Sequence, residues 1–230
     1  MSASESAPRG FAIAIDGPAS SGKGTVARLV AQRLGFAYVD TGSMYRSVAL
    51  TALREKVPWE DEFVLADIAE GLRFQFRFDD GAFRVAVNGE DFTHDIRTEQ
   101  VGKGASKVAT LPLVRKALLG VQRELAATQG VVLDGRDIGT VVLPDAPLKV
   151  FLDADLDVRA NRRHAELAGR GVEKALSQVR ADLAARDAQD AGRETAPLAQ
   201  AEDAIYLDTT RMTPEAAADH IIGLARERGV

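Results

Sequence analysis

The sequence contains no cysteine among its 230 residues. This absence excludes a disulfide framework, a thiolate-ligated metal site and a thiol nucleophile, and it favours the reducing cytoplasm as the compartment. No apolar run approaches the roughly 18 residues that span a membrane. Residues 1–9 have neither the apolar core of a signal peptide nor an Arg-rich amphipathic pattern, and we expect a disordered tail there.

An excess of positive charge is also missing, because 29 Lys and Arg side chains stand against 34 Asp and Glu, for a net charge of −5. Proteins that bind the nucleic-acid backbone carry a basic face, so we expect small-molecule partners and neither nucleic acid nor membrane. Arg predominates among the basic residues, with 22 Arg and 7 Lys. The planar guanidinium suits phosphate, but a general preference of the genome for Arg explains this bias equally well.

Five short apolar segments predict the strands of one sheet. They are residues 11–15, 36–39, 131–133, 148–152 and 205–207. Their low polar alternation is typical of parallel strands covered on both faces. Helical patterns lie between them, and the last helix follows a capping Thr213 and a first-turn Pro214. Strands that alternate with helices predict an α/β fold with a doubly wound, five-stranded parallel sheet flanked by helices.

Residues 72–92 interrupt this alternation, because apolar and polar residues alternate there with a period of two. Turn residues at 79–81 and an Asn-Gly pair at 88–89 predict a small antiparallel sheet. We interpret residues 72–109 as an inserted subdomain.

The core domain would then comprise residues 10–71 and 110–230. Within it, residues 165–194 are charged, helical and interrupted by glycine. This composition predicts either a mobile lid or an ordinary pair of solvated helices.

The segment GPASSGKGT at residues 17–25 lies between the first predicted strand and a helical pattern that begins at Val26. Glycines let consecutive N–H groups turn towards an anion, and a helix N-terminus adds positive potential. Lys23 supplies a positive charge for the β- and γ-phosphates of a nucleotide. The sequence therefore predicts a nucleotide phosphate site composed of Gly17, Pro18, Ala19, Ser20, Ser21, Gly22, Lys23, Gly24 and Thr25.

Gly24 departs from the usual pattern, in which a metal-binding hydroxyl follows the lysine. We therefore expect Mg²⁺ to be held mainly by phosphates and water, with Thr25 as a further candidate ligand. No cluster of residues has the spacing of a direct protein metal site.

Three further polar segments lie where loops follow strands or in the lid region. They are DTGSMYR at 40–46, DGRDIG at 134–139 and RDAQDAGR at 186–193. Ligands of doubly wound sheets bind beyond the carboxyl ends of the strands, so we expect these segments to face the phosphate loop. Arg beside hydroxyls and carboxylates points to a second anionic ligand. The alternative is that these Arg residues only form salt bridges with neighbouring Asp.

Six segments in order resemble the bacterial cytidylate kinases. They are GPxxxGKGT (17–25), DTGxMYR (40–46), LPxVR (111–115), DGRDIGTVV (134–142), PDAPxKxFLD (144–153) and RDxxDxxR (186–193). The resemblance covers about residues 11–210 and implies a monomeric P-loop nucleoside monophosphate kinase that transfers the γ-phosphoryl group of ATP to CMP or dCMP. The segment 72–109 resembles the monophosphate-binding insertion of that family.

The resemblance places CMP against Thr41, Arg46, Ser106, Arg115, Arg136, Asp137, Arg186, Asp190 and Arg193. Asp137 can accept a hydrogen bond from the exocyclic amine of cytosine, where uracil presents an acceptor instead. Arg115 and Ser106 can donate to the acceptors of the ring. Arg46 and Arg136 suit a bidentate grip on the monophosphate, and Asp190 is implied at the sugar hydroxyl.

The reaction implied is in-line attack by a CMP phosphate oxygen, which is already ionised and needs no general base. Lys23 and Mg²⁺ are expected to cover the oxygens of the β- and γ-phosphates, and Arg136, Arg186 and Arg193 to stabilise the transferring phosphoryl group. Arg159, Arg162 and Arg163 either serve the ATP side or form a solvated helical face. Asp134 either orients metal-bound water or forms a loop salt bridge.

Two classes of rival function remain open. The first is a P-loop kinase for another small acceptor, such as UMP, AMP, shikimate or a nucleoside. The second is a nucleotide-binding switch without turnover, although such a protein would have little use for the arginines of the lid region.

Overall fold

The computed structural model describes residues 10–79 and 82–230. The predicted tail at 1–9 and part of the predicted turn at 79–81 lie outside the described residues. The strands are β1 (Ala12–Asp16), β2 (Ala37–Asp40), β3 (Phe74–Asp79), β4 (Ala82–Val87), β5 (Glu90–Asp91), β6 (Val131–Gly135), β7 (Leu148–Asp153) and β8 (Ile205–Asp208).

Eight α-helices accompany these strands in the described part of the chain. They are α1 (Lys23–Leu34), α2 (Thr41–Arg54), α3 (Glu62–Gly71), α4 (Glu99–Val108), α5 (Pro112–Thr128), α6 (Leu156–Gly169), α7 (Leu176–Ala191) and α8 (Pro214–Glu227). Helix α8 begins as predicted, since the Thr213 hydroxyl accepts a hydrogen bond from the N–H of Ala216 at 3.2 Å. None of the helices described is long and apolar enough to cross a membrane.

The central sheet has five parallel strands in the order β2-β6-β1-β7-β8. All five predicted strands are present, and the α/β prediction is confirmed. Every residue of β1 and of β6 is buried, which explains why neither strand shows polar alternation. Strand β1 is the middle strand of the sheet. The segment 17–25 follows its carboxyl end and therefore begins at the centre of the edge where the parallel strands end.

The small antiparallel sheet β3-β4-β5 is also present. The aromatic rings of its inner face pack on β2, where the rings of Tyr38 and Phe83 lie 4.6 Å apart at a steep angle. Asn88 and Gly89 have φ angles of 51° and 84°, the left-handed pair that a tight hairpin turn requires. Buried residues of this sheet join the hydrophobic core of the central sheet. The division of the chain into core, insertion and lid stays a prediction.

Helices α6 and α7 pack on each other and have a small hydrophobic core of their own. Its buried members are Ala160 and Leu167 of α6, Val179 and Leu183 of α7, and Ala19 of the predicted phosphate loop. The loop therefore contributes a side chain to the helix pair, a contact that sequence patterns do not reveal.

Candidate active site

The loop at residues 17–25 has the geometry of an anion site because two of its glycines adopt conformations that other residues avoid. Gly17 has a φ of 154°, and a Cβ there would lie 2.0 Å from the carbonyl oxygen of Leu152. Gly22, with a φ of 96°, begins α1, and no described side chain caps this helix. The N–H groups of Lys23 and Gly24 in its first turn have no partner among the described residues and can bind an anion, whereas that of Thr25 donates to the Gly22 carbonyl oxygen at 3.0 Å.

Lys23 is buried, and its Nζ donates to the carbonyl oxygen of Pro18 at 3.3 Å. Burial, together with the nearby Arg136 and Arg186 and against the opposing charge of Asp134, lowers the pKa of this ammonium to about 7. The positive charges of Lys23, Arg136 and Arg186 repel one another in the free protein, and a bound polyanion neutralises this repulsion. The phosphate loop therefore favours a highly charged ligand.

Asp134, the fourth residue of β6, is a buried carboxylate that accepts from the Tyr38 hydroxyl at 3.0 Å. Burial raises its pKa to about 7, and the neighbouring Asp40 acts in the same direction. No described cation forms a salt bridge with it, which removes the salt-bridge alternative within that part of the chain. A Cβ at Gly24 would lie 3.3 Å from Asp134 Oδ2, so glycine leaves room between the loop and this carboxylate.

A cavity of 740 Å³ opens beside the phosphate loop. Its lining includes residues 19–25 of the loop, whereas Gly17 and Pro18 do not line it. All of the acceptor-site residues expected from the sequence also line it, namely Thr41, Arg46, Ser106, Arg115, Arg136, Asp137, Arg186, Asp190 and Arg193. The structure thus brings together residues that are up to 174 positions apart in the chain (Ala19 to Arg193).

Arg115 and Asp137 form a buried ion pair at one part of this cavity. Arg115 Nη1 also donates to the carbonyl oxygen of Ala109 at 3.1 Å, and its guanidinium lies 5.6 Å from the ring centre of Tyr45. Burial raises the pKa of Asp137, while Arg115 lowers it again. The pair fixes one donor group and one acceptor group side by side.

Asp190 is a further buried carboxylate of the cavity, beside Asp134 and Asp137. Its oxygens accept from Arg136 Nε at 2.7 Å and from Arg193 Nη2. Burial opposes ionisation of Asp190, but Arg136 and Arg193 hold its pKa below the usual value. Arg136 and Arg193 therefore form the salt bridges with Asp that were the alternative to anion binding, as Arg115 does with Asp137.

Positive charge nevertheless exceeds negative charge among the expected acceptor residues that line the cavity, which comprise five arginines and two carboxylates. Arg186 forms neither a hydrogen bond nor an ion pair with any residue that the structure describes, and its Nε is buried without a partner. Arg46 Nη1 donates only to the Ile96 carbonyl oxygen, at 2.9 Å. The guanidinium groups therefore retain donors for an anionic ligand.

The three arginines of α6 differ from one another. Arg159 lies outside the cavity, is buried and pairs with Asp187, so it fits neither the ATP-side nor the solvated-face alternative. Arg162 lines the cavity and donates to the carbonyl oxygens of Ser21 and Thr209 at 3.0 and 2.8 Å. Arg163 is half-buried and pairs with Glu166.

One carboxylate to which the sequence motifs do not point is Asp16, the last residue of β1. Its two oxygens accept from the N–H groups of Ile138 and Gly139 at 2.8 and 2.7 Å. Burial, partly offset by these two hydrogen bonds, raises the pKa of Asp16 to about 6. Asp16 thereby anchors the segment that follows Arg136 and Asp137. In the sequence, a charged residue at the end of an otherwise apolar strand is the feature that could have identified Asp16 as part of the site.

Comparisons with known proteins identify the family to which the chain belongs. The family model described as cytidylate kinase matches residues 13–227. A cytidylate kinase of Chromobacterium violaceum is 50% identical over 216 residues, which is 94% of this chain and 96% of the relative. A cytidylate kinase of Geobacter sp. strain M21 is 46% identical over 219 residues, covering 95% of this chain and 94% of the relative.

A solved structure of an uncharacterized protein from Eubacterium ventriosum has a TM-score of 0.51 and 14% identity, covering 94% of this chain and 98% of its own. That likeness concerns the fold alone. The match to the family model and the two long alignments at 46% and 50% identity go further. They show that the chain belongs to the cytidylate kinase family.

Proposed function

We propose that the protein transfers the γ-phosphoryl group of ATP to CMP, giving ADP and CDP, and that dCMP is a second acceptor. The observation that carries this proposal is one cavity that joins a glycine-rich phosphate loop to a set of arginines around Asp137 and Asp190. Two polyanions that meet end to end need this arrangement, because each must be neutralised where they approach.

The pair of Arg115 and Asp137 supports cytosine as the base. Ionised Asp137 can accept from the exocyclic amine of cytosine, and Arg115 can donate to the neighbouring ring acceptors. Uracil presents a carbonyl oxygen in place of the amine, which Asp137 would repel. Ser106, at the edge of the same cavity, is a further donor.

The monophosphate and the sugar would then lie nearer the phosphate loop. Arg46 and Arg136 supply guanidinium groups for the phosphate, and Thr41 lines the same region. The Thr41 hydroxyl donates to the Asp134 carbonyl oxygen at 2.8 Å. This hydrogen bond fixes the orientation of the hydroxyl, and the lone pairs of its oxygen then point away from that carbonyl. Asp190 is proposed to accept from a sugar hydroxyl.

The chemical step requires alignment and charge neutralisation rather than proton abstraction, because the attacking phosphate oxygen is already ionised. Lys23 is proposed to hold the oxygens of the β- and γ-phosphates. Arg136, Arg186 and Arg193 are proposed to stabilise the transferring group, as donors that are already in place before the reaction.

The residues present fit a Mg²⁺ ion carried by the nucleotide. Asp134 supplies a buried oxygen next to the loop, and Gly24 leaves space between them. The ion would be held by phosphates and water, with Asp134 orienting that water and Thr25 as a further candidate. When bound, Mg²⁺ supplies positive charge to the phosphate oxygens.

The acceptor is tested by ADP release with a panel of CMP, dCMP, UMP, AMP, shikimate and cytidine at equal concentrations. CMP and dCMP are expected to exceed every other acceptor by about tenfold or more, since the pocket pairs a donor with an acceptor for cytosine. A faster reaction with another acceptor would support the rival kinase. Nucleotide binding without any acceptor-stimulated release would support a switch.

Lys23 is expected to take up a fraction of a proton when Mg²⁺-ADP binds near pH 7, while Mg²⁺ beside Asp134, whose pKa burial also raises to about 7, favours loss of a proton there. The pKa of Lys23 is about 7 in the protein alone, and phosphate groups beside the ammonium raise it by favouring the charged form. Titration calorimetry in two buffers of different ionisation enthalpy measures this uptake. Lys23→Met is expected to reduce it, whereas the same uptake in that variant would mean that another group titrates.

The remaining expectations from the sequence concern the setting in which the enzyme works. A monomer in the cytoplasm, with small molecules as its only partners, stays a prediction. Sedimentation at micromolar concentration checks the first of these directly.

A further inference from the structure

The helix pair α6 and α7 contacts Ala19 of the phosphate loop through the methyl group, the N–H group and the carbonyl oxygen of that residue. Its methyl group lies in the small core of that pair. Its N–H donates to Asp187 Oδ1 at 3.3 Å, and its carbonyl oxygen accepts from Arg159 Nη1 at 3.2 Å. Both ends of one loop residue are therefore bound by side chains of two different helices.

Arg159 and Asp187 also bind each other, with 2.5 Å between Arg159 Nη1 and Asp187 Oδ2. Arg159 Nε donates at 2.8 Å to the carbonyl oxygen of Ala154, the residue that directly follows β7. The Arg159 side chain is 9% exposed and that of Asp187 is 20% exposed, so water screens this pair little. The guanidinium thus joins the end of β7, the phosphate loop and α7.

Asp187 directly follows Arg186, a cavity-lining arginine that forms no hydrogen bond or ion pair with the described residues. Successive residues of a helix lie about 100° apart around its axis. A contact that fixes Asp187 on the loop therefore also fixes the rotation and height of α7, and with them the direction of Arg186. Asp190 and Arg193 lie farther along the same segment.

We propose that Arg159 and Asp187 are positioning residues that fasten α7 to the phosphate loop. They thereby fix the position of the Arg186 guanidinium relative to a nucleotide bound on the loop. Neither side chain lines the cavity, so neither acts on substrate directly. The proposal rests on the proposed function, because it assigns a role within that reaction. It predicts that donor binding and acceptor binding assist each other through this contact.

The test uses the full-length chain and four variants, Asp187→Ala, Arg159→Met, the double variant, and Asp182→Ala as control. Asp182 lies on the same helix and pairs with Lys174 at 2.7 Å, with 47% of its side chain exposed. Asp187→Ala is expected to lower kcat about tenfold, because a small displacement of a catalytic group has a large effect on rate. The KM for CMP at saturating ATP is expected to rise only by the factor by which a bound donor tightens CMP binding in the wild type. Asp182→Ala is expected to match the wild type.

The double variant separates positioning from simple loss of contacts. If the two residues act as one unit, the double variant loses about as much kcat as either single variant, so the losses do not multiply. Multiplicative losses would overturn the proposal. So would a lower Tm with an unchanged kcat measured well below that Tm, because the pair would then only stabilise the fold.

A binding measurement gives a readout that stability does not change. The Kd for CMP is measured with and without a non-hydrolysable ATP analogue, and the analogue is expected to tighten CMP binding in the wild type and not in Asp187→Ala. Equal tightening in both proteins would overturn the proposal.

Wild-type turnover of CMP is measured first, and its absence would count against the proposed function. In that case hydrogen exchange in α7 decides the inference, with ADP as the probe. ADP is expected to slow this exchange in the wild type and not in Asp187→Ala, and the same slowing in both would overturn it.

Discussion

Replacing Arg186 by alanine is expected to lower kcat by about 10²-fold or more, with a much smaller loss of affinity for CMP. The magnitude is that of an arginine that stabilises a transferring phosphoryl group. Such a group contributes most where negative charge is displaced during the reaction, and less to binding of the substrates.

The structure supplies the physical reason for this expectation. Arg186 has no hydrogen-bond or ion-pair partner among the described residues, although it is half-buried beside the cavity. Burial, together with the neighbouring Arg136, lowers its pKa to about 10. A guanidinium held near like charges, and in no ion pair with the described residues, is placed to bind an anionic ligand, and its removal leaves no described carboxylate unpaired.

A matched control lies on the same helix. Arg180 is half exposed and pairs with Asp157 on the surface, so Arg180→Ala is expected to leave kcat unchanged. Arg186→Lys keeps the charge without the planar fork and is expected to recover only part of the activity. Steady-state kinetics for ATP and CMP provide the measurement. A kcat within about twofold of the wild type in Arg186→Ala would remove this residue from the proposed mechanism.

The phosphate loop is the part of the site that the sequence predicts most directly, because its geometry is local. Strand, turn and helix follow one another, and the glycines mark the positions of unusual backbone conformation, at Gly17 and Gly22. The five buried strands are predictable for a similar reason. A strand covered on both faces has to be apolar throughout, which leaves a pattern in a few consecutive residues.

The residues of the acceptor side come from segments that are far apart in the sequence, and residue types alone do not decide their role. Arg beside Asp in a loop indicates either a salt bridge or an anion site, and the structure shows salt bridges within a cavity that retains a positive excess. Resemblance to a family predicted which residues meet there. It did not predict Asp16 or the contact of Ala19 with Asp187, which joins residues 168 positions apart.

Replacing Asp137 by asparagine is expected to lower the ratio of kcat/KM for CMP to that for UMP by about 10²-fold. A side-chain contact of this kind discriminates between bases by about 1–3 kcal/mol, and here both members of the ratio change. The carboxylate only accepts hydrogen bonds, whereas the asparagine amide can turn its NH₂ group towards the carbonyl oxygen of uracil. CMP therefore loses a charge-assisted contact while the repulsion of UMP disappears.

The burial of Arg115 decides how the variants of Asp137 differ. Asp137→Ala leaves the Arg115 guanidinium buried without its partner, so we expect lower activity with both acceptors as well as lost selectivity. Asp137→Asn keeps an oxygen for Arg115, which is why it is the cleaner test. The affinity for ADP, measured by calorimetry, is the internal control, because the phosphate loop does not depend on Asp137. If the ratio is unchanged in Asp137→Asn while ADP still binds normally, the amine of cytosine must be recognised by a different group in the cavity.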